Sequence, residues 1–190
     1  MSSPKVDLSQ YRNPEDLDKG RSILIRALWH VVNAVVLQSP LNPSSKLKIM
    51  VLRMFGAKIG RGCVLKPSMN IKSPWYLTVG DYCFLGERVW IDSLAPVTLG
   101  NNVCISQDVY LCCGNHDWTD PHFGKTVKPI IVEDGVWIAT RATVLSGVTL
   151  RSHSVIAAGA IMSKDSEPYR IYAGNPAEPV KIREIISKPN

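Results

Sequence analysis

The chain has 190 residues, 45% of them apolar and 20% charged, with a net charge of +6 and an isoelectric point near 9.1. That is enough for one domain with a sizeable core plus an appendage. The basic excess is compatible with a polyanion, a phosphate-bearing ligand or a membrane surface. With no zinc-finger spacing and no basic patch interleaved with aromatics, it argues against nucleic acid. Cys63, Cys83, Cys104, Cys112 and Cys113 include no CxxC pair, and the first twenty residues carry Glu15, Asp16 and Asp18 without an apolar core. These features imply free thiols, no secretory signal and a reducing, cytoplasmic setting.

Residues 1–57 read as a helical leader. SILIRALWHVVNAVVL, residues 22–37, predicts a helix over about 20–38 that stops before Pro40. It is interrupted by Arg26, His30 and Asn33 and is too short to span a bilayer. Ser22, Arg26, His30 and Asn33 share one helical stripe, which leaves a broad apolar face. Two readings stay open for that face: packing on the body of the protein or a neighbouring subunit, or peripheral contact of 20–38 with a membrane. A second helix is expected to start at Ser44 or Ser45 as N-cap and to end near Gly56.

Residues 58–167 carry a period of six. Counting from Val132 gives Ile138, Val144, Leu150, Ile156 and Met162, and the fourth residue after each is small or β-branched. The count holds upstream for Val79, Leu85 and Ile91, for Leu99, Ile105 and Leu111, and for Ile59, Leu65 and Ile71. Extra residues follow Ile71, Ile91 and Leu111, the last making an inserted loop at 112–131. A helix would scatter apolar residues spaced by six, and hairpin strands would alternate by two. The period fits a parallel β-helix, with three short strands per coil and one anchor per strand pointing into a prism-shaped core. Cys63 and Cys83 occupy the small inward slot. Residues 168–190 leave the repeat through turns and are expected to finish in a short helix. Open ends and flat faces need cover, so a homotrimer is expected.

With the repeats, GNHDWTDPHFG, VEDGVWIATRATVLSGVTL, IMSKD and YAGNPAEPVKI in view, the chain resembles the hexapeptide-repeat acyltransferases. Within them it is most similar to colanic-acid-biosynthesis O-acetyltransferases, and it also resembles the maltose and galactoside acetyltransferases. The resemblance implies an all-β fold, a left-handed parallel β-helix with an N-terminal helical leader. It also implies a trimer with active sites between adjacent subunits, a loop histidine and acetyl-coenzyme A in the groove between two prisms.

Attack of a sugar hydroxyl on a thioester needs a base, and neutral imidazole suits that near pH 7. His116, in a loop on a rigid scaffold, is the candidate, flanked by Asn115 and Asp117, which either contact the acceptor or form turns. His122 reads as a rim residue. The resemblance places Ser163 and Lys164 at the nucleotide end of the cofactor. It places backbone groups of Thr140 and Ala158 at the pantetheine arm and thioester, and Trp137 beside the groove. Lys181 and Arg183 follow the final turn, but Glu178 stands where galactoside-type enzymes carry a base. Gly86 stands where they carry an acceptor-binding Asn, leaving Asp92 to grip a sugar hydroxyl or to serve the coil. Cys112 and Cys113 precede the loop, but direct transfer needs no covalent enzyme intermediate. No metal is required on this reading. The alternatives are a zinc-dependent carbonic-anhydrase-like enzyme on the same scaffold, drawing on His116, His122 and His153, and a non-catalytic β-helix scaffold.

Overall fold

The computed structural model describes residues 5–11 and 20–186. Its body is a parallel β-helix of three sheets. One contains strands 58–59, 77–79, 97–99, 130–132 and 149–150, and a second contains 70–71, 90–92, 110–112, 143–144 and 161–162. The third has six parallel strands, 64–65, 84–85, 104–105, 137–138, 155–156 and 170–174, so the solenoid runs to about six turns. Register keeps anchors in columns, with Ile59 on Val79, Val79 on Leu99, Leu99 on Val132 and Val132 on Leu150. All fifteen predicted anchors are buried, Ile59 least so at 8% exposure. Cys63 and Cys83 lie inward as expected, their thiols bonded to the carbonyls of Gly80 and Gly100.

A third slot of the repeat emerges only in three dimensions. The third residue after most anchors has positive φ, as at Gly62, Ser68, Asn102, Asp108 and Gly135. Tyr82, Arg88, Arg141 and His153 fill the same slot, where a left-handed backbone is costly for side-chain-bearing residues. The anchors without such a corner are Ile71, Ile91 and Leu111, each followed by inserted chain, and Met162, after which the chain leaves the prism.

The leader closes the first end. Helix α1 (Ile23–Val32) continues as a π-helical turn over Asn33–Leu37, and helix α2 (Ser45–Met54) is capped by the Ser44 side chain, which accepts from Leu47 N–H. An open coil edge exposes unpaired backbone groups, and leader side chains satisfy them. Trp29 Nε1 donates to Ile71 O at 2.9 Å, Arg53 Nη2 to Ile59 O at 2.6 Å, and Ser45 Oγ both accepts from Leu65 N and donates to Leu65 O. Fully buried Lys48 donates to Asn42 O at 2.6 Å and Leu65 O at 3.3 Å.

The orientation of α1 inverts the simplest reading of its pattern. Arg26, Trp29 and Asn33 face the body, while Leu24, Leu28, Val31 and Val35 are 57–79% exposed. The inward face is mixed: Arg26 and Asn33 of the polar stripe turn in beside Trp29, Val32, Val36 and Leu37, while Ser22 and His30 stay exposed.

The C-terminal piece differs from expectation. Instead of a short helix, Arg170–Gly174 and Ala177–Ile182 form an antiparallel hairpin that extends the third sheet, turning at the cis peptide Asn175–Pro176. Residues 183–186 are not helical, and 187–190 lie outside the described residues. Pairing to the last coil satisfies the open edge at this end, which an isolated helix would leave bare. Asp165 and Ser166 close the neighbouring edge, accepting from the amides of Thr149 and Arg151.

Candidate active site

All three inserted segments leave the prism at the same corner, between the second sheet and the first. The segment after Ile71 forms a short 3-10 turn, Pro74–Tyr76. The segment after Ile91 is stitched to it through buried Ser93, whose Oγ accepts from Ser73 N at 2.9 Å and donates to Ser73 O at 3.0 Å. The third segment projects as a hairpin, Gly114–His116 against Lys125–Val127, and it carries His116 opposite Lys125.

The hairpin fixes the state of that histidine. His116 Nδ1 lies 2.9 Å from Phe123 O. A carbonyl can only accept, so Nδ1 carries the proton of the neutral ring and Nε2 keeps its lone pair, the form a general base needs. Phe123 is held at φ 55°, and its ring stacks on the imidazole at 4.5 Å and 14°. Asp120 sets this turn: its carboxylate accepts from His122 N and Gly124 N, both at 2.9 Å, and its carbonyl accepts from Phe123 N at 2.9 Å.

The flanking candidates are committed to the loop. Asn115 Oδ1 accepts from the His116 amide at 2.8 Å. Asp117 Oδ1 accepts from Thr119 N at 2.9 Å and Thr119 Oγ1 at 2.6 Å, bonds that hold its carboxyl below the usual range. His122 is a rim residue, 3.8 Å from Asp120. Asp92 is only 6% exposed and lies 3.0 Å from the ammonium of Lys72. Its place is therefore to hold Lys72 at the corner, with little carboxylate surface for a sugar hydroxyl.

The predicted cofactor residues lie elsewhere on the prism. Trp137 is 44% exposed on the third sheet, a strand residue rather than a turn residue, and its Nε1 donates to Ser106 Oγ at 3.0 Å. Thr140 and Ala158 occupy the same corner one coil apart, joined by Gly159 N donating to Thr140 O at 2.9 Å. Ala158 is exposed, as are Ser163 and Lys164 beyond the last strand of the second sheet, and Lys181 and Glu178 on the terminal hairpin. Exposed coil-edge amides suit a pantetheine arm, and Lys164 and Lys181 suit phosphates. Among the described residues, no hydrogen bond, ion pair or ring contact joins His116 to this set.

Cys113, before the loop, is a poor nucleophile. Burial pushes the Cys113 thiol up to about 12 and that of Cys83 to about 11. His153 sits at a coil corner, stacked on Tyr169 at 4.7 Å. The described residues contain no group of three His, Cys, Asp or Glu side chains placed to hold a metal.

Phe123 and Asp120 are the residues that sequence reasoning missed. The DPH turn was visible, but only the folded hairpin shows that it delivers a carbonyl to His116. A parallel β-helix whose long insertion presents a histidine held through Nδ1, and whose coil edges elsewhere are open to an extended ligand, suits an acyl-transfer scaffold.

The comparisons with known proteins agree. The family described as "Hexapeptide repeat of succinyl-transferase" matches residues 76–113 and 129–164. An Escherichia coli (strain K12) protein named for colanic acid biosynthesis, the acetyltransferase WcaF, is 36% identical over 180 residues, covering 95% of this chain and 97% of its own. Galactoside O-acetyltransferase of the same strain is 29% identical over 74% of this chain and 69% of its own. Among solved structures, the hexapeptide-repeat acetyltransferase VCA0836 of Vibrio cholerae O1 biovar eltor, complexed with acetyl-coenzyme A, superposes with a TM-score of 0.79 at 23% identity, over 88% of this chain and 93% of that one. The chain belongs to the hexapeptide-repeat acetyltransferase family.

Proposed function

We propose that the protein is an O-acetyltransferase that moves the acetyl group of acetyl-coenzyme A to a saccharide hydroxyl in cell-surface or exopolysaccharide biosynthesis. The observation that carries this reading is the 2.9 Å bond from His116 Nδ1 to Phe123 O, which leaves Nε2 free to accept a proton. The likeness to WcaF over nearly the whole chain supports the polysaccharide setting.

Acetyl-coenzyme A supplies an activated acetyl group as a thioester. His116 Nε2 takes the proton of the acceptor hydroxyl as its oxygen attacks the thioester carbonyl. The imidazolium then returns that proton to the departing thiolate, so transfer is direct and no enzyme ester forms. Exposed backbone amides at the Thr140/Ala158 corner stabilise the charge developing on the carbonyl oxygen. Trp137, Ser163, Lys164 and Lys181 line the path of the cofactor. On this reading the site is completed between neighbouring subunits of a homotrimer, the histidine hairpin of one meeting the Thr140/Ala158 corner of the next. Lys181 is the cation offered to the phosphates at this end, where Glu178 also stands, while Arg183 Nη1 donates to the carbonyls of Gly135 and His153.

The protein works in the cytoplasm. No helix among the described residues is long and apolar enough to cross a membrane. The outward stripe of Leu24, Leu28, Val31 and Val35 is available to a neighbouring subunit or to the inner membrane face, and sedimentation with anionic vesicles separates the two. The proposal is tested by thiol release from acetyl-coenzyme A across a saccharide panel, wild type beside His116→Ala. A fall of about a hundredfold or more with coenzyme A binding retained is expected; unchanged turnover in the variant overturns the base assignment.

A further inference from the structure

The corner that carries the histidine hairpin also walls a cavity of about 380 Å³ between α1 and the first two insertions, within the usual size for a small-ligand site. Three indoles form its sides. Trp29 spends its Nε1 on Ile71 O, and Trp90, 43% exposed, is backed by Tyr110 stacked at 4.6 Å. Trp75 has no such partner: its Nε1 is buried without a hydrogen bond, and so is Arg26 Nε. Buried donors left unpaired cost about 1–3 kcal/mol each, and native structures rarely tolerate two in one place without a reason.

Several other polar groups of the cavity are already engaged. Asn33 donates to Asn70 Oδ1 at 2.8 Å, Gln38 reaches the same oxygen at 3.4 Å, and Lys72 is paired with Asp92 at 3.0 Å. Among the described residues Arg26 makes no ion pair, which leaves the cavity one uncompensated positive charge. At its far edge lies Leu94, against Gly114: a Cβ placed on that glycine would stand 3.0 Å from Leu94 Cδ1. Gly114 begins the hairpin that bears His116.

We infer that this cavity seats a saccharide that bears a negative charge, its ring faces on the indoles and its carboxylate or phosphate on Arg26. Flat aromatic walls suit the C–H faces of a sugar, and the planar guanidinium of Arg26, which lines the cavity, offers a carboxylate or phosphate the two-pronged recognition that ammonium groups lack. The inference rests on the acetyltransferase reading insofar as this saccharide is the acceptor, but occupancy of the cavity does not depend on turnover.

The test is a ligand-observed NMR titration of the full-length protein with glucuronate, glucose 1-phosphate and glucose. Wild type is compared with Arg26→Gln, Arg26→Glu and His116→Ala, the fold of each variant being checked by thermal melting. At least one anionic sugar is expected to bind ten times or more tighter than glucose, with that advantage lost in Arg26→Gln, reversed in Arg26→Glu and kept in His116→Ala. Which probe binds decides between a uronic acid and a sugar phosphate. Equal binding of glucose and both anionic probes, an unchanged preference in the folded Arg26 variants, or no binding of any probe overturns the inference. Thiol release measured in parallel keeps the two readings separate. Anionic binding without turnover sinks the acetyltransferase reading alone, and turnover on neutral sugars without anionic preference sinks this one alone.

Discussion

Asp120 never touches a substrate in the proposed reaction, yet its removal should slow turnover. Its carboxylate accepts two amides, at 2.9 Å each, in the turn that sets Phe123 at φ 55° and aims that residue's carbonyl at His116. Hydrogen bonds to a charged group contribute about 1.5–3 kcal/mol each. The side chain is 35% exposed, so the low end applies. Losing both bonds in Asp120→Ala should cost the ordered turn about 3 kcal/mol. If only the ordered turn holds the imidazole in its productive tautomer, kcat should fall about a hundredfold at about 1.4 kcal/mol per decade. The assay is initial-rate thiol release at saturating acceptor, with KM for acetyl-coenzyme A measured alongside. KM should stay within about twofold, because no cofactor residue is disturbed, and Asp120→Asn, which retains one acceptor oxygen, should fall between. A kcat within twofold of wild type, or a loss confined to KM, would refute the claim that this turn sets the histidine.

Other outcomes follow from the coil geometry. At Gly80 a Cβ would stand 2.6 Å from the carbonyl atoms of Gly100, backbone that cannot yield, so Gly80→Ala should lose about 3 kcal/mol or more by chemical denaturation. Gly159, with φ 72° but nothing within 4 Å, should lose only about 1–2 kcal/mol on the same substitution. Alkylation at pH 8 followed by peptide mass mapping should spare Cys83 and Cys113, whose thiols are held near 11 and 12 by burial, until the protein is unfolded. Lys48→Ala should lower stability by about 3–5 kcal/mol, since it strips the partner from Asn42 O and removes a buried stem. Burial holds the folded Lys48 below its usual value, so the folded state binds fewer protons than the unfolded one as pH approaches 10.5. The gap in stability between wild type and Lys48→Ala should therefore widen with rising pH in that window.

The prism was legible because its core constraint is one-dimensional. One anchor every six residues must point inward wherever a strand is two or three residues long, and all fifteen anchors do. The insertions were legible as breaks in that count, and His116 as the histidine in the longest of them. The terminal hairpin was not legible. PAEPVKIREI carries apolar residues that fit a helix about as well as a strand, and what decides is the open edge of the last coil at Val155–Ile156. The orientation of α1 was hidden for the same reason. Its pattern marked a polar stripe and an apolar face, but the Ile71 carbonyl and the Asn70 side chain drew Trp29 and Asn33 inward from either side of that divide. Asp120 and Phe123 form contacts two to seven residues from their partners, within range of any sequence scan, but they act through backbone amides and a carbonyl that no residue letter encodes. Sequence alone determined the repeat, the corner where chain was inserted and the chemistry His116 can do. Tertiary structure decided which way α1 faces, how both ends are closed and which nitrogen of His116 keeps its lone pair, because each depends on backbone groups that only the folded chain puts in place.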